Sequence, residues 1–170
     1  EKKPTVLIVT PEVTYLPPGM GNAANFLTAK AGGLADVSSA LVSALFAQGA
    51  DVHIALPDYR TLFSDHFSDL LRKEMRMIKK TLPKDRFHLA EDRVFFYQRG
   101  VYSNVEWENM KISLAFQREV INKIIPEVEP DLIHCNDWMT GLIPAAARHL
   151  GIPSLFTVHN IHSVKTNLAN

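Results

Sequence analysis

Several things are scarce in this chain. Cys135 is the one cysteine in 170 residues, so no disulfide can form within the chain, and the thiol content suits a reducing compartment. Charge of either sign is not in excess: 18 Lys and Arg balance 18 Asp and Glu, leaving no global field to gather nucleic acid or an anionic membrane. No apolar stretch approaches the ~20 residues of a membrane-spanning helix. Glu1-Lys2-Lys3-Pro4 has none of the apolar character of a secretory signal. These absences point to a cytoplasmic protein with neither nucleic acid nor membrane as a partner. There are no internal repeats and no low-complexity tracts. Metal-ligand spacing is also missing, since His134, Cys135, His159 and His162 do not fall at zinc-site intervals. His53, His66, His88 and His149 are scattered and read as surface or structural residues.

What is present is a core and an alternation of elements. Hydrophobic residues make up 46% of the chain, enough for one domain of this length. Thr5 to Thr10 is a β-branched run that predicts a buried strand. Leu34, Val37, Leu41, Val42, Leu45 and Phe46 then recur at helical spacing until Gly49 supplies a left-handed stop, and Asp51 to Leu56 predicts the next strand. Further on, the pattern predicts strands at Phe87 to Ala90 and Arg93 to Tyr97, and a helix or loop from Leu62 to Lys73. A helical stripe through Ile112, Phe116, Val120, Ile121 and Ile124 is ended by Pro126. Leu132 to Cys135 predicts a strand, Gly141 to Leu150 a helix closed by Gly151, and Ser154 to Val158 a last strand. Strands alternating with helices imply an α/β fold on a parallel sheet, and such sheets bind ligands at the carboxyl ends of their strands.

The run Lys30-Ala31-Gly32-Gly33-Leu34-Ala35-Asp36-Val37 places a cation and two bare glycines at the start of the first predicted helix. Free N–H groups and the positive end of the helix dipole attract an anion there, and absent side chains let it approach closely. A simple Gly-Gly turn with a solvated lysine is the plain alternative. Gly19-Met20-Gly21-Asn22-Ala23-Ala24 satisfies a G-x-G-x-x-A pattern but does not open the helix, so the dinucleotide-binding mechanics fail.

The same run resembles the K-x-G-G-L signature of bacterial glycogen synthases and plant starch synthases, followed by Ala-Asp-Val. Three more blocks agree in order and approximate spacing. His134-Cys135-Asn136-Asp137-Trp138 resembles the family's H-x-[HN]-D-W, Phe156-Thr157-Val158-His159-Asn160 its F-T-x-H-N, and Ala55-Leu56-Pro57-Asp58-Tyr59-Arg60 its L-P-x-Y segment. The resemblance covers nearly all of residues 5 to 162. It implies a Rossmann-like sheet with helices on both faces, the N-terminal half-domain of a GT-B glycosyltransferase. Residues 1–170 would then be a single, incomplete catalytic domain, with the C-terminal nucleotide-sugar domain absent.

The activity so implied moves glucose, with retention, from ADP-glucose or UDP-glucose to the non-reducing end of an α-1,4-glucan. No metal and no cofactor is implied, the nucleotide sugar being a substrate. The resemblance assigns Lys30, Gly32 and Gly33 to the donor diphosphate, and Asp137 and His159 to the reacting centre. Glu12, Tyr102 and Trp138 fall on the acceptor side. Each has a plainer reading: Asp137 as the cap of the following helix, His159 as a structural histidine, Glu12 as an exposed loop residue, Tyr102 as a packing residue. The family often has a second histidine after D-W, where this chain has Met139, and its loop before the lysine is shorter than Pro11 to Ala29 here. That longer loop is placed to cover the cleft or touch a different acceptor. Two other function classes stay open: a non-catalytic module binding glucan or a partner, and a GT-B enzyme of the sucrose or trehalose synthase type.

Overall fold

The computed structural model describes residues 3–21, 24, 27–63 and 85–160. Five strands, β1 (Thr5–Val9), β2 (Asp51–Pro57), β3 (Phe87–Ala90), β4 (Leu132–Asn136) and β5 (Ser154–Thr157), form one parallel sheet in the order β3-β2-β1-β4-β5. β1 lies at its centre, with Val6 opposite Val52 on one side and Leu132 on the other. All five β1 residues are buried, because a central parallel strand is covered on both faces and therefore reads as a continuous apolar run. β5 lies at one end of the described sheet, and Leu155 and Phe156 remain exposed.

The connections are α1 (Gly33–Ala47), α2 (Arg60–Phe63), α3 (Arg93–Phe96), α4 (Glu106–Glu119), a π-helical turn at Val120–Ile124, α5 (Ile125–Val128), a 3-10 turn at Trp138–Thr140 and α6 (Ile143–His149). The crossover through α1 runs toward β2, and those through α4 to α6 run the other way. Right-handed connections therefore place the two groups on opposite faces. Leu34, Ala35 and Val42 of α1 are buried on one side; Ile112, Phe116, Val120, Ile124 and Ile143 are buried on the other. Gly49 at φ +78 ends α1 and Gly151 at φ +70 ends α6, each releasing the following N–H to bond back to the helix.

Three expectations about the helices and strands need correction. Arg93 to Tyr97 is a helical turn, α3, because the Asp92 carboxylate accepts the Val94 N–H at 2.9 Å and caps it; its aromatic content serves packing, with Phe95 edge-on to Tyr59. Pro126 does not end the helical stripe. The path widens through the π-helical turn, where the register shift accommodates a proline lacking its N–H, and continues to Val128 before Glu129 at φ 48 stops it. The helix from Gly141 begins at Ile143, after the 3-10 turn. The reading of Leu62 to Lys73 is described only to Phe63, within α2; the rest lies outside the described residues, as do His66 and His162.

The long loop between β1 and α1 does not cover the carboxyl edge along its described length. Val13 and Ala29 pair as an antiparallel bridge, and beyond it Leu16, Met20, Ala24 and Leu27 are buried in the core. The Met20 carbonyl accepts the N–H of Arg86, just before β3, and Gly19 lies against Phe46 in the last turn of α1. The excursion therefore runs back toward the amino ends of the strands. His53 and His88 are not scattered either: their rings stack with centroids 5.1 Å apart, and Nδ1 of one lies 2.8 Å from Nε2 of the other.

Candidate active site

Three segments converge where β1, β4 and β5 end. Residues Lys30–Gly33 enter α1 after β1, Asp137 and Trp138 follow β4 directly, and His159 and Asn160 follow β5. The chain leaves β1 toward β2, while β4 lies on its other side, so the junction of β1 and β4 is the switch point at which open α/β sheets form a ligand crevice.

At the first segment, Gly32 precedes α1 in an extended conformation and no side chain among the described residues caps the helix. The N–H groups of Gly33, Leu34 and Ala35 accordingly have no intrahelical acceptor. Neither Gly32 nor Gly33 has a positive φ, and a Cβ at either would meet nothing within 4 Å. The fold itself thus does not demand glycine at these two positions. Lys30 lies beside them with its Nζ donating to both oxygens of Asp36, at 2.8 and 2.9 Å, and Thr14 Oγ1 donates to the same carboxylate at 2.7 Å. The lysine bond and the hydroxyl hold the Asp36 carboxyl below its usual range.

Glu12 is almost fully buried, at 2% exposure, and both oxygens of its carboxylate are hydrogen-bonded. Oε2 accepts the N–H groups of Ala31 at 2.7 Å and Gly32 at 2.8 Å, while Oε1 accepts the Tyr102 hydroxyl at 2.5 Å. Burial, then the bond to Glu12, push the Tyr102 phenol well above its ordinary value. The Tyr102 ring leans on Trp138, with centroids 6.0 Å apart, and so links the α1 entrance to the segment after β4.

Asp137 has φ 63 and ψ −177, a backbone region that only glycine enters without strain. Its N–H donates to the Thr157 carbonyl at 2.8 Å, extending the pairing of β4 with β5, and its carbonyl accepts both the N–H and the hydroxyl of Thr140. These backbone bonds hold the residue in place. The side chain makes no capping bond to the 3-10 turn, so the helix-cap alternative fails. The carboxyl is 6% exposed at the level of the residue and has no hydrogen-bond partner among the described residues. Met139, at the position where a second histidine was the family's alternative, is fully buried in the core.

His159 Nε2 lies 3.0 Å from Asn136 Oδ1, and Asn136 Nδ2 donates to the Val9 carbonyl at 3.4 Å. An amide oxygen only accepts, so Nε2 carries a proton and Nδ1 is left facing away from Asn136. Asn136 is 1% exposed and bridges three strand ends. Its block was visible in sequence, but its role as the anchor of His159 was not, because that role depends on β1 and β5 flanking β4. Beneath it, His134 Nε2 lies 2.7 Å from Thr157 Oγ1, and burial, then the neighbouring imidazole of His159, lowers its pKa. Cys135 is buried and its thiol is pushed up to about 12 by desolvation, which makes it an inert core residue.

This edge can be compared with known proteins. Residues 5–166 match the family model described as the starch synthase catalytic domain. The chain belongs to that family. Among the relatives it resembles are glycogen synthases of Moorella thermoacetica (32% identical, covering 92% of this chain and 33% of the relative), Exiguobacterium sibiricum (30%, 78% and 32%) and Vibrio cholerae (30%, 77% and 31%). The chain spans about a third of the length of these curated relatives. As a member of the starch synthase catalytic domain family, it presents the blocks carrying Lys30, Gly32, Gly33, Asp137 and His159 on one edge of its sheet. Glu12, Tyr102 and Trp138 form the connected bridge between them. No group of three or more His, Cys, Asp or Glu side chains suited to a metal ion occurs among the described residues, and no described helix is long and apolar enough to cross a membrane.

Proposed function

We propose that this chain is one wall of the active site of a retaining glucosyltransferase, which transfers glucose from ADP-glucose or UDP-glucose to the non-reducing end of an α-1,4-glucan. The observation that carries this reading is the entrance to α1. Two adjacent glycines stand where neither dihedral angle nor packing requires them, at an uncapped helix N-terminus of a 15-residue helix, so the bare backbone serves something that approaches from outside. A diphosphate fits both the open N–H groups and the dipole. Lys30, turning from Asp36, adds a point charge.

Cleaving the glucosyl–phosphate bond leaves negative charge on the diphosphate and positive charge on the sugar ring. The first is stabilised at α1. The second falls to Asp137, whose unbonded carboxylate is aimed by a strained backbone, and preorganised charge of this kind is the largest contribution at many active sites. His159, fixed by Asn136, offers Nδ1 and its backbone to the glucose hydroxyls. The exposed face of Trp138, backed by Tyr102, provides the acceptor side. A second domain, supplied by the parent polypeptide, would hold the remainder of the donor and close the cleft.

The test is transfer of labelled glucose from ADP-glucose and UDP-glucose to glycogen by the parent polypeptide. Incorporation into α-1,4 linkages is expected from the parent, and none from residues 1–170 alone. Glycogen binding without transfer from either donor would instead establish a binding module. Transfer to fructose or glucose phosphate, with glycogen ignored, would establish an enzyme of the sucrose or trehalose synthase type.

A further inference from the structure

The sequence resemblance places Glu12 on the acceptor side, yet in the fold both of its carboxylate oxygens accept hydrogen bonds from within the protein. We infer that Glu12 is a positioning residue for the donor: a buried internal anion that pins the N–H groups of Ala31 and Gly32, and so sets where the open N–H groups of Gly33 and Leu34 point. The inference rests on the reading of the α1 entrance as the diphosphate site.

Four observations meet at this carboxylate. It is 2% exposed. It accepts two backbone N–H groups through one oxygen, at 2.7 and 2.8 Å, and a phenol through the other, at 2.5 Å. The loop that carries it is fastened to α1 itself: Thr10 Oγ1 lies 3.0 Å from Ser38 Oγ and donates to the Glu12 carbonyl or accepts its N–H, and Ser39 Oγ accepts the N–H groups of Thr14 and Tyr15. Finally, the fully buried Tyr59 hydroxyl, within electrostatic reach of the carboxylate, has no partner among the described residues. An anion beside a phosphate site repels phosphate, so its presence there needs a geometric reason. The two loop N–H groups supply one. Left unpinned, they would turn freely and Gly32 would lose its extended conformation, which sets the direction of the first turn of α1. Glu12 thus removes two donors from the phosphate and fixes the remaining ones.

The experiment compares Glu12→Ala and Glu12→Gln in the full-length parent enzyme. Measured quantities are KM for the nucleotide sugar, KM for glycogen, the Kd of ADP, and amide hydrogen exchange over residues 28–36. Alanine leaves Ala31 and Gly32 without an acceptor, so exchange there should speed up at least about tenfold. Donor KM and ADP Kd should rise together by at least about tenfold, with glycogen KM held within about twofold. Glutamine keeps an oxygen in place and removes the repelling charge, so it should restore donor affinity to within about threefold of wild type; being nearly isosteric, it carries the test if alanine fails to fold. A rise in glycogen KM with unchanged ADP affinity in either variant overturns the inference and makes Glu12 an acceptor contact. Faster exchange with unchanged ADP affinity overturns it too. Wild-type enzyme that neither binds ADP nor transfers glucose refutes the functional reading instead, a result that needs no variant and so is told apart from failure of this inference.

Discussion

Replacing Asp137 by glycine should make the fold more stable and the enzyme nearly inactive, two effects of opposite sign from one substitution. At φ 63 and ψ −177 a side-chain-bearing residue stores about 1–3 kcal/mol of backbone strain. Glycine would release it, at a cost of about 0.5–1 kcal/mol in extra unfolded-state entropy. No capping bond is lost, because the side chain makes none. The balance is roughly 0–2.5 kcal/mol in favour of Asp137→Gly, or up to about 7 °C in Tm for a domain of this size. Catalysis should move the other way. Losing a charge that faces a developing transition-state charge costs about 10²- to 10³-fold in kcat, roughly 2.7–4 kcal/mol. Asp137→Asn separates the two contributions: it keeps the shape and the strain, so Tm should barely change while kcat falls at least about 10²-fold. Thermal unfolding of the chain and glucose transfer by the parent enzyme supply both readings. A glycine variant less stable than wild type would refute the strain argument. An asparagine variant with near wild-type turnover would remove Asp137 from the reacting centre.

Two further outcomes follow from the same geometry. Lys30→Ala should leave the unfolding midpoint almost unchanged, because Lys30 and Asp36 are both about half exposed and such pairs contribute little; donor KM should rise about tenfold or more, the worth of a charge-assisted hydrogen bond of about 1.5–3 kcal/mol, and an unchanged donor KM would exclude it from the diphosphate site. His53 and His134 both have lowered pKa values, chiefly through burial. The fold holds them neutral while the unfolded chain takes up protons from about pH 6.5 downward, so stability is full above that value and is lost progressively as pH falls toward the lower folded-state values. The urea midpoint should drop between pH 7.5 and 5 and drop less in His53→Gln; equal midpoints at the two pH values would contradict this.

The strands and α1 were legible because burial imposes a period on residues that must face the core, and Gly49 and Gly151 because a left-handed stop demands that residue type. The convergence of Lys30, Asp137 and His159 was legible because the carboxyl ends of parallel strands share an edge. Other features were hidden for physical reasons. Asp92 caps α3 through one local bond that outweighed the strand character of Val94, Phe95 and Phe96. Leu16, Met20 and Leu27 pack into the core from an irregular loop, where apolar residues carry no period. The partners of Glu12 lie 19, 20 and 90 residues away, a separation at which sequence shows a residue type without its surroundings. Likewise, the strain at Asp137 is a property of the β4–β5 pairing and the turn beyond it.

On this reading a diphosphate is held at the entrance to α1. A crystal structure of the parent enzyme with ADP tests it most directly. A phosphate oxygen is expected within about 3 Å of the N–H groups of Gly33 and Leu34, with Lys30 Nζ turned from Asp36 toward the phosphate and Glu12 still bonded to Ala31 and Gly32. ADP bound with its diphosphate away from that helix terminus, or Glu12 displaced from the loop by the phosphate, would contradict it.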